Sequence, residues 1–373
     1  MKVIVVGAGV LGTMHAWQAV ERGHEVVHLE REAEARGASV RNFGLVWVSG
    51  RAAGEELEVA LRARELWEQI GARVPGLWFR PNGSLTLART EAELAVAEAA
   101  VQLPDAAARG YRLLDADQVR AVNPALRGSF LGGLHCTRDG AVESRVAQPA
   151  LRAALEATGR YAFLPGREVR EVVGAAAVRD DHGQLHQGDQ VILCTGAWLG
   201  GLVRELAPDL PVRRVRLQMM QTDPLDETLT TSVADGDSFR YYPAFAGPEL
   251  DALRASQPQP PVAAEHKMQL LMVQRKDGGL TVGDTHEYDQ PFGFDVVEDP
   301  YEHVAEVAEA LLGRPLPKIR RRWAGVYAQC LDTTRVVHRQ QVAEGTWLVT
   351  GPGGRGMTCS PAIAETTANL AGL

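Results

Sequence analysis

The chain has little cysteine, with four thiols in 373 residues. They lie far apart, with neither the spacing of a metal-binding cluster nor the density of a disulfide-rich secreted domain. We therefore expect reduced thiols in the core of a cytoplasmic protein, and no metal site. The four are Cys136, Cys194, Cys330 and Cys359.

The chain also lacks long apolar runs and an excess of positive charge. No apolar segment approaches the length of a membrane span, and the glycine at Gly7 interrupts the apolar start too early for a signal peptide. With 39 basic and 47 acidic residues the formal net charge is -8, which argues against nucleic acid or an anionic membrane surface as the main partner. An anionic substrate would therefore need a local cationic pocket.

Apolar residues, in contrast, are plentiful, and the strongest pattern lies in the first thirty residues. The chain is 45% hydrophobic, enough for two domains or for one large domain with a substantial insertion. Residues 2–6 form a β-branched run typical of a strand buried on both faces, residues 13–22 predict a helix, and residues 25–29 predict a second strand. The sequence therefore begins with a βαβ unit.

A Gly-x-Gly-x-x-Gly turn joins the first strand to the helix, and an acid ends the second strand. Gly7 allows a tight turn, Gly9 lets a pyrophosphate approach the backbone, and Gly12 allows close packing of helix and strand. The helix N-terminus offers N–H groups to phosphates, and Glu30 can accept both ribose hydroxyls. This combination predicts dinucleotide binding.

Two further segments repeat the arrangement of a strand followed by glycine. Residues 190–194 predict a buried strand that leads into Thr195-Gly196-Ala197-Trp198, and residues 346–350 predict a strand before a glycine-rich turn that ends at Thr358. A loop around two glycines, residues 37–44, also carries the small residues of a close backbone approach. Phosphate-binding patterns thus occur at both ends and in the middle of the chain.

The remaining patterns predict helices and antiparallel strands. Helices are expected at residues 55–70, 91–108, 145–158 and 360–373, and strands at residues 79–88, 168–173, 175–179, 212–223, 266–275 and 279–283. The antiparallel strands fall in two inserts between the phosphate-binding segments.

In this order, the pieces resemble the D-amino-acid oxidase superfamily of FAD enzymes, which includes glycine oxidase and sarcosine oxidase. The resemblance covers essentially the whole chain. It implies an α/β fold with a discontinuous Rossmann-like FAD-binding domain and an inserted antiparallel-sheet substrate domain. The FAD-binding domain would comprise residues 1–78, 140–212 and 322–373, and the substrate domain residues 79–139 and 213–321.

The sequences of four segments are similar to those of one subgroup, the FAD oxidoreductases associated with phosphonate breakdown. Members of this subgroup are proposed to oxidise aminophosphonates. The segments are residues 37–44, Asn82-Gly83-Ser84-Leu85, Leu217-Gln218-Met219-Met220 and Gly353-Gly354-Arg355-Gly356-Met357-Thr358.

The resemblance implies a set of cofactor-binding residues and a noncovalent FAD, because Cys330 is out of register with the cysteine that carries flavin in sarcosine oxidase-like members. The expected FAD contacts are Gly7, Gly9, Val10, Leu11, Gly12, Glu30, Arg31, Ser39, Arg41, Asn42, Gly44, Leu45, Val169, Thr195, Gly196, Trp198, Gly353, Gly354, Arg355, Gly356, Met357 and Thr358.

One departure from the superfamily concerns the substrate. Glycine oxidase-like members have a Trp-Ala-Gly-x-Arg segment whose arginine clamps the substrate carboxylate, and here Tyr327 stands in the place of that arginine. One phenol cannot replace a bidentate guanidinium, so a plain α-amino acid becomes less favoured and a phosphonate held by other arginines and hydroxyls more so. We expect Tyr242, Tyr327 and Arg355 to position the substrate as catalytic residues, with Arg41, Arg240, Tyr241, His286 and Arg322 as further substrate contacts.

The expected reaction is oxidation of a small amine, such as 2-aminoethylphosphonate, by hydride transfer to FAD, giving an imine and then an aldehyde, without an obligate side-chain base. Two alternatives remain open. One is oxidation of an amino acid or an N-methyl amine, and the other is an electron-relaying flavoprotein subunit. The sequence leaves open the electron acceptor, oxygen or another, and the oligomeric state.

Overall fold

The computed structural model describes residues 1–288 and 291–373. The strands are β1 Lys2–Val6, β2 Glu25–Glu30, β3 Leu45–Val46, β4 Ser84–Ala88, β5 Tyr111–Asp115, β6 Gly132–Cys136, β7 Gly140–Ala141, β8 Tyr161–Pro165, β9 Val169–Val173, β10 Ala177–Asp180, β11 Leu185–Gln187, β12 Gln190–Leu193, β13 Val212–Pro224, β14 Ser232–Ala234, β15 Leu271–Gln274, β16 Gly279–Gly283, β17 Ile319–Cys330, β18 His338–Ala343 and β19 Thr346–Thr350. The α-helices are α1 Val10–Glu21, α2 Glu55–Arg73, α3 Glu91–Ala100, α4 Ala106–Arg109, α5 Ala116–Val122, α6 Ser144–Glu156, α7 Leu202–Leu206, α8 Asp237–Tyr241, α9 Pro248–Ser256, α10 Pro261–Glu265, α11 Asp299–Leu312 and α12 Gly356–Leu370.

A six-stranded sheet in the order β18-β19-β12-β1-β2-β8 contains the dinucleotide unit. Its strands pair in parallel except for the edge strand β18. Val3 and Val5 of β1 pack in a core with α1 and α12, whereas Ile4 and Val6 pack on the other face with strands of the small β9–β11 sheet. The strand is therefore buried on both faces, as its unbroken apolar run predicts.

An eight-stranded sheet in the order β17-β13-β16-β15-β14-β4-β6-β5 forms the second layer. β13 and β17 are its longest pair and run antiparallel from Val212↔Cys330 to Thr222↔Ile319. Val215, Leu217 and Met219 of β13 share one apolar cluster, and Met220 belongs to the cluster on the opposite face. The predicted two-faced strand is thus observed, and the α/β fold with parallel and antiparallel sheets is confirmed.

The strand β17 lies wholly within the antiparallel sheet, so the domain limit expected at residue 322 falls inside a strand. Few contacts cross a typical domain boundary, whereas a limit inside this strand would divide a hydrogen-bonded ladder. We therefore place this limit after Cys330 in our proposed division of the chain.

Several predicted elements have different bounds. The helix expected to stop at Gly71 runs on to Arg73, because Gly71 gives close packing to the ring of Phe79 rather than a helix end. The helix expected over residues 91–108 is divided into α3 and α4, with Pro104 between them.

Two further differences concern the C-terminal half of the chain. The strand expected over residues 266–275 is limited to Leu271–Gln274 and follows the short helix α10. The last helix starts at Gly356 rather than at residue 360, so the glycine-rich turn itself begins it. Among the described residues no helix is both long enough and apolar enough to cross a membrane.

His28 ties β2 to the glycine turn. It is fully buried, with Nδ1 2.8 Å from the Tyr161 hydroxyl and Nε2 3.0 Å from the carbonyl oxygen of Gly7. A neutral ring satisfies both contacts when Nε2–H donates to the carbonyl and Nδ1 accepts from the phenol. Burial lowers the pKa of His28 to about 4, since the charged ring would lose its hydration.

We predict that this histidine contributes to acid sensitivity of the fold. The unfolded chain binds a proton at the ordinary histidine pKa of about 6.5, whereas the folded chain does so only near 4. The contribution of neutral His28 to the free energy of unfolding is therefore complete above about pH 6.5 and is lost as the pH falls toward 4. The slope for one such group approaches about 1.4 kcal/mol per pH unit. Urea unfolding of His28→Gln at pH 5, 6 and 7 should show a shallower decline than the wild type.

His303→Gln on α11 is the matched control, because that histidine is partly exposed. A His28→Gln profile that runs parallel to the wild-type profile would contradict this assignment.

Candidate active site

A cavity of about 1330 Å³ is lined by residues of both large sheets. At one end its wall contains Glu30 and Trp198, and at the other Tyr241 and Asp284. Its volume exceeds the usual range of about 300–1,000 Å³ for sites of drug-sized ligands. The space therefore suits a large ligand together with a small one.

The glycine turn forms part of this wall, and each glycine has a distinct steric reason. Gly7 has φ +95°, and a Cβ there would lie 2.3 Å from the Cys194 carbonyl oxygen. A Cβ on Gly12 would lie 1.9 Å from the carbonyl oxygen of Gly7. Gly9 is different, because a Cβ would meet only the side chain of Ser39, at 3.0 Å. The first and third glycines thus serve packing, and the second leaves the backbone open toward the cavity.

Glu30 and Ser39 hold the turn from two sides. Glu30 accepts hydrogen bonds from the backbone N–H of Ala8 (2.7 Å) and of Glu32 (3.1 Å), and it is 8% exposed. Ser39 Oγ accepts from the N–H of Val10 at 2.8 Å. Both residues therefore shape the site as well as facing the cavity.

The segment after β12 and the end of β2 form the same end of the cavity. The guanidinium of Arg31 lies 4.4 Å from the ring centre of Trp198, whose side chain is largely exposed. Gly196 is anchored by Thr350, whose hydroxyl donates to its carbonyl at 2.9 Å. Thr195 Oγ1 is buried and has no hydrogen-bond partner among the described residues. A buried hydroxyl without a partner at a cavity wall fits a ligand that supplies one.

The glycine-rich turn before α12 closes the cavity on another side. The Arg355 guanidinium donates to the carbonyl oxygens of Pro352, Thr333 and Arg335 at 3.2, 3.0 and 2.9 Å, and lies 3.3 Å from Glu56. Its donors are therefore occupied by the protein, and its charge is paired. Arg355 lines the cavity but positions the turn, which is a more limited role than the catalytic substrate contact expected of it.

Nearly all of the predicted cofactor residues lie in this wall. The exceptions are Gly12, which packs behind the turn, and Gly44, where a Cβ would lie 2.0 Å from the Val142 carbonyl oxygen. The residues in the wall are Gly7, Gly9, Val10, Leu11, Glu30, Arg31, Ser39, Arg41, Asn42, Leu45, Val169, Thr195, Gly196, Trp198, Gly353, Gly354, Arg355, Gly356, Met357 and Thr358.

The opposite end of the cavity is aromatic and polar. Tyr241 stacks on His286 with ring centres 4.3 Å apart, and His286 is parallel to Tyr288 at 6.3 Å. Tyr242 lies 5.9 Å from Trp47. These rings come from α8, from the loop after β16 and from the segment after β3, so three parts of the chain build one wall.

Tyr327 joins this aromatic end to the glycine-rich turn. It projects from β17 into the cavity wall, and a Cβ on Gly354 would lie 3.9 Å from its hydroxyl oxygen. The hydroxyl is buried beside the Tyr241 side chain, and no hydrogen bond of normal geometry satisfies it within the described residues. Burial raises the pKa of Tyr327 well above the ordinary phenol value, and the nearby Tyr288 and Asp284 add to the effect. The group is therefore a neutral donor available to a ligand.

Two of the predicted substrate arginines lie outside the wall. Arg240 pairs with Asp237 at 2.9 Å. Arg322 pairs with Glu298 at 3.1 Å and covers the ring of Tyr301. Neither lines the cavity. Because both charges are satisfied elsewhere, we remove these two residues from the candidate substrate site.

Arg41 is in the wall, but its guanidinium donates to the carbonyl oxygens of Arg36 at 2.9 Å and Ala324 at 3.1 Å. These two bonds join the loop at Arg41 to β17. The residue thus connects the two layers of the fold beside the cavity.

Sequence reasoning missed many polar residues of the wall, five of which lie at or near the aromatic end. Arg213 donates to Gln329 Oε1 at 2.8 and 3.0 Å, and its guanidinium lies 4.2 Å from the ring centre of Tyr288. Its position at the start of the two-faced strand was a usable signal. The five are Arg51, Arg213, Gln269, Asp284 and Tyr288.

A family model described as "DAO: FAD dependent oxidoreductase" matches residues 2–370. The chain belongs to this family of FAD-dependent oxidoreductases. The match spans both sheets and every segment of the cavity wall described above.

Curated relatives of this FAD-dependent oxidoreductase include amino acid oxidising enzymes. Glycine oxidase of Pseudomonas aeruginosa is 25% identical, with 99% of this chain and 94% of that protein covered. D-Amino acid dehydrogenase of Cereibacter sphaeroides is also 25% identical, with 99% and 91% covered. The chain is thus an FAD-dependent enzyme related to oxidases and dehydrogenases of amino acids.

Solved structures show the same fold. Glycine oxidase from Geobacillus kaustophilus superposes with a TM-score of 0.78 at 18% identity, covering 99% of this chain and 94% of that one. L-Proline dehydrogenase from P. horikoshii gives 0.79 at 20% identity, covering 99% and 92%.

The residues present fit FAD. The open backbone at Gly9, the buried acid Glu30 and the unpartnered Thr195 hydroxyl lie in one continuous cavity wall. Helix α1 begins directly at this turn, its N-cap residue Gly9 has no side chain, and Ser39 takes only the N–H of Val10. N–H groups there suit a pyrophosphate. Within the described residues no group of histidine, cysteine and acidic side chains could hold a metal ion.

We predict that Glu30→Gln weakens FAD binding by about 10- to 100-fold, since a lost charge-assisted hydrogen bond is worth roughly 1.5–3 kcal/mol. Glutamine retains an oxygen that can accept from the Ala8 N–H, so the turn itself should persist. Titration of the apoprotein with FAD, followed by flavin fluorescence, measures the affinity.

Glu25→Gln, at the exposed start of the same strand, is the control. Equal FAD affinity for Glu30→Gln and wild type would show that the acid serves only the turn. Glu30→Ala should in addition lower the stability of the apoprotein, because the Ala8 N–H then loses its acceptor.

Proposed function

We propose that this enzyme oxidises a small amine that carries a phosphonate, of the 2-aminoethylphosphonate type, to an imine that hydrolyses to an aldehyde. The observation that carries the proposal is the Tyr327 hydroxyl, which faces the cavity without a partner at the position where glycine oxidase-like sequences have a carboxylate-binding arginine. A single neutral donor does not reproduce the paired N–H fork that suits a carboxylate.

Cationic groups near Tyr288 support an anionic substrate of another shape. Arg213 donates from Nε and Nη2 to Gln329, and within the described residues its Nη1 makes no hydrogen bond or ion pair. The Lys267 ammonium lies 5.4 Å from the ring centre of Tyr288. Three phosphonate oxygens can accept from several separate donors, such as one guanidinium and phenol hydroxyls.

When bound, FAD would supply the two-electron acceptor for the hydride of the amine α-carbon. The residues of the aromatic end would position the substrate. The stack of Tyr241, His286 and Tyr288 forms a flat wall, and the Tyr327 hydroxyl offers a donor beside the glycine-rich turn. Burial of these groups keeps water from the reacting carbon. The N-terminus of α12 begins at Gly356 in the cavity wall, and its positive potential would stabilise negative charge on a reduced cofactor bound there.

The relatives support a second substrate class. Their names describe glycine oxidase and D-amino acid dehydrogenase, so oxidation of an amino acid or an N-methyl amine is the alternative. A relay of electrons within a larger complex is the third possibility, and it would require a partner before the flavin is reduced. In each of these cases the reduced flavin passes its electrons to oxygen or to another acceptor.

We propose that FAD is held noncovalently. Of the four cysteines, Cys136, Cys330 and Cys359 lie outside the cavity wall, and Cys194 reaches it as a buried thiol whose pKa is raised by burial. A protonated buried thiol is a poor nucleophile.

The purified protein should be yellow, and acid precipitation should release all of the flavin as FAD. Flavin that stays with the precipitated chain would contradict noncovalent binding. Tight binding of NADH by a colourless protein would contradict the cofactor assignment itself.

The substrate proposal predicts an order of reactivity. Under anaerobic conditions 2-aminoethylphosphonate or its N-methyl relative should bleach the flavin faster than glycine, sarcosine or D-alanine. Arg213→Met should lower kcat/KM for the phosphonate by tens- to hundredfold, about 2–3 kcal/mol for a lost charge-assisted partner. Stopped-flow absorbance of the flavin measures the rate of reduction by each substrate and the kcat/KM of each variant.

Arg322→Met is the matched control, because that arginine lies outside the cavity wall on the neighbouring strand. If glycine or D-alanine reacts faster than every phosphonate tried, the amino acid alternative replaces this proposal. If no amine bleaches the flavin unless a partner protein is added, the electron-relay alternative replaces it.

A further inference from the structure

We propose that Asp284 binds the ammonium group of the substrate and accepts a proton from it before oxidation. The inference rests on the proposed oxidation of an amine and names the residue that recognises its nitrogen. It holds for a phosphonate and for an amino acid alike, because both carry the same ammonium group.

Asp284 is built into the aromatic end of the cavity with the Gln269 side chain beside its carboxylate but, among the described residues, without a cationic partner for its charge. It directly follows β16, lies in the cavity wall and is 6% exposed. Its backbone is fixed by Gln269, whose carbonyl oxygen accepts the Asp284 N–H at 2.9 Å. Its Oδ1 is buried and makes no hydrogen bond within the described residues. An unpaired buried carboxylate is costly, so a cation or donor supplied by a ligand would stabilise it.

The protein groups around Asp284 do not supply that cation. His286 is the nearest basic group, with Nε2 3.9 Å from Oδ2. Its Nδ1 lies 2.9 Å from the Lys267 carbonyl oxygen and donates to it, and burial lowers the pKa of His286 to about 4. The ring is therefore neutral near pH 7, with Nε2 as an acceptor. No lysine or arginine of the described residues lies within 4.0 Å of Asp284.

Two other acids near the cavity are already satisfied. Glu56 lies 3.6 Å from Arg51 and 3.3 Å from Arg355, and Asp139, near Tyr242, accepts hydrogen bonds from Val48, Ser49 and Ser84. Asp284 differs from both because, within the part of the chain that the structure describes, no arginine or lysine pairs with it and its Oδ1 accepts no hydrogen bond.

The remaining titratable groups that face Asp284 are four phenols, from α8 and the residue after it, from the loop after β16 and from β17. A lysine lies beyond them. Burial raises the pKa of each phenol, and the nearby carboxylate adds to the effect. They are Tyr241, Tyr242, Tyr288 and Tyr327, with Lys267 over the outer side of Tyr288. Neutral hydroxyls can orient the substrate, but none of them offers a basic site near pH 7.

The proton transfer is balanced within the site. One N–H bond of the ammonium breaks, its electron pair stays on nitrogen, and the proton forms an O–H bond on Asp284. The nitrogen lone pair then forms the C=N bond as the α-carbon loses a hydride to the FAD that the family's reaction employs. Burial raises the pKa of Asp284 in the empty site to about 8, so only the ionised fraction of the enzyme accepts the proton near pH 7.5, and that carboxylate is much closer in basicity to an alkylamine than an ordinary carboxylate is. The transfer is therefore far less uphill than it would be to an exposed aspartate.

The test compares Asp284→Asn with the wild-type holoenzyme in anaerobic flavin reduction between pH 6 and 10. Wild type is first tested with 2-aminoethylphosphonate, glycine and D-alanine, and the fastest amine is used. We expect kcat/KM of Asp284→Asn to fall at least about 100-fold near pH 7.5, with a deficit that narrows toward pH 10 as the neutral amine becomes abundant. The flavin absorbance spectrum of the variant should be unchanged.

A probe without the amine separates recognition from a structural role. Ethylphosphonate, or propionate if an amino acid is the faster substrate, should perturb the flavin spectrum of Asp284→Asn with a Kd within about threefold of wild type. Asp235→Asn is the matched control, since Asp235 is buried and accepts the Leu270 N–H at 3.0 Å outside the cavity wall. Its pH profile should follow the wild type.

Two results would overturn the inference while the proposed function stands. One is a pH profile of Asp284→Asn equal to that of wild type, and the other is an equal loss of affinity for the amine and for the amine-free probe. If Asp284→Asn does not fold with FAD, Asp284→Glu replaces it, and an unmoved acid limb of the pH profile overturns the inference. If no amine reduces the wild-type flavin, the proposed function itself fails, and this proposal fails with it.

Discussion

The structure depends on a close backbone contact between Gly7 and its two neighbours. The Cys194 carbonyl oxygen leaves no room for a side chain on Gly7, and the Gly7 carbonyl oxygen leaves none for a side chain on Gly12 in the first turn of α1. β1, β12 and α1 meet there, and only this approach lets the helix begin directly at the cavity. A side chain at Gly7 or Gly12 would push the helix away, and the N–H groups that suit a pyrophosphate would move with it.

This contact explains why the cofactor half of the site was predictable from the sequence. A strand, three glycines, a helix and a terminal acid are local features, and each states its own steric or hydrogen-bonding reason in the sequence. The same is true of β13, whose alternation shows directly as two faces. Such features need no knowledge of which distant segments meet.

The substrate half depends on tertiary contacts, and there the sequence was a weaker guide. Arg240, Arg322 and Arg355 were credible anion ligands because of their neighbours in the chain. Asp237, Glu298 and Glu56 neutralise them in the folded protein. Conversely, Asp284 carries no motif, and it becomes distinctive only because Tyr241, from a separate helix, and Tyr327, from another strand, enclose it. Whether a charged side chain can bind substrate thus depends on whether the fold brings an oppositely charged residue next to it, and residue type alone does not show this.

The bridge from His28 to the Gly7 carbonyl couples two properties that are usually treated separately. His28 bridges Tyr161 and the Gly7 carbonyl as a neutral ring, so we expect a ligand that requires the ordered turn to bind this form more tightly and to oppose protonation of the imidazole. Loss of flavin and acid unfolding then become two outcomes of a single linked equilibrium. A chain that has lost its cofactor begins to unfold at a higher pH than one that retains it, and acidification therefore removes the vacant protein first.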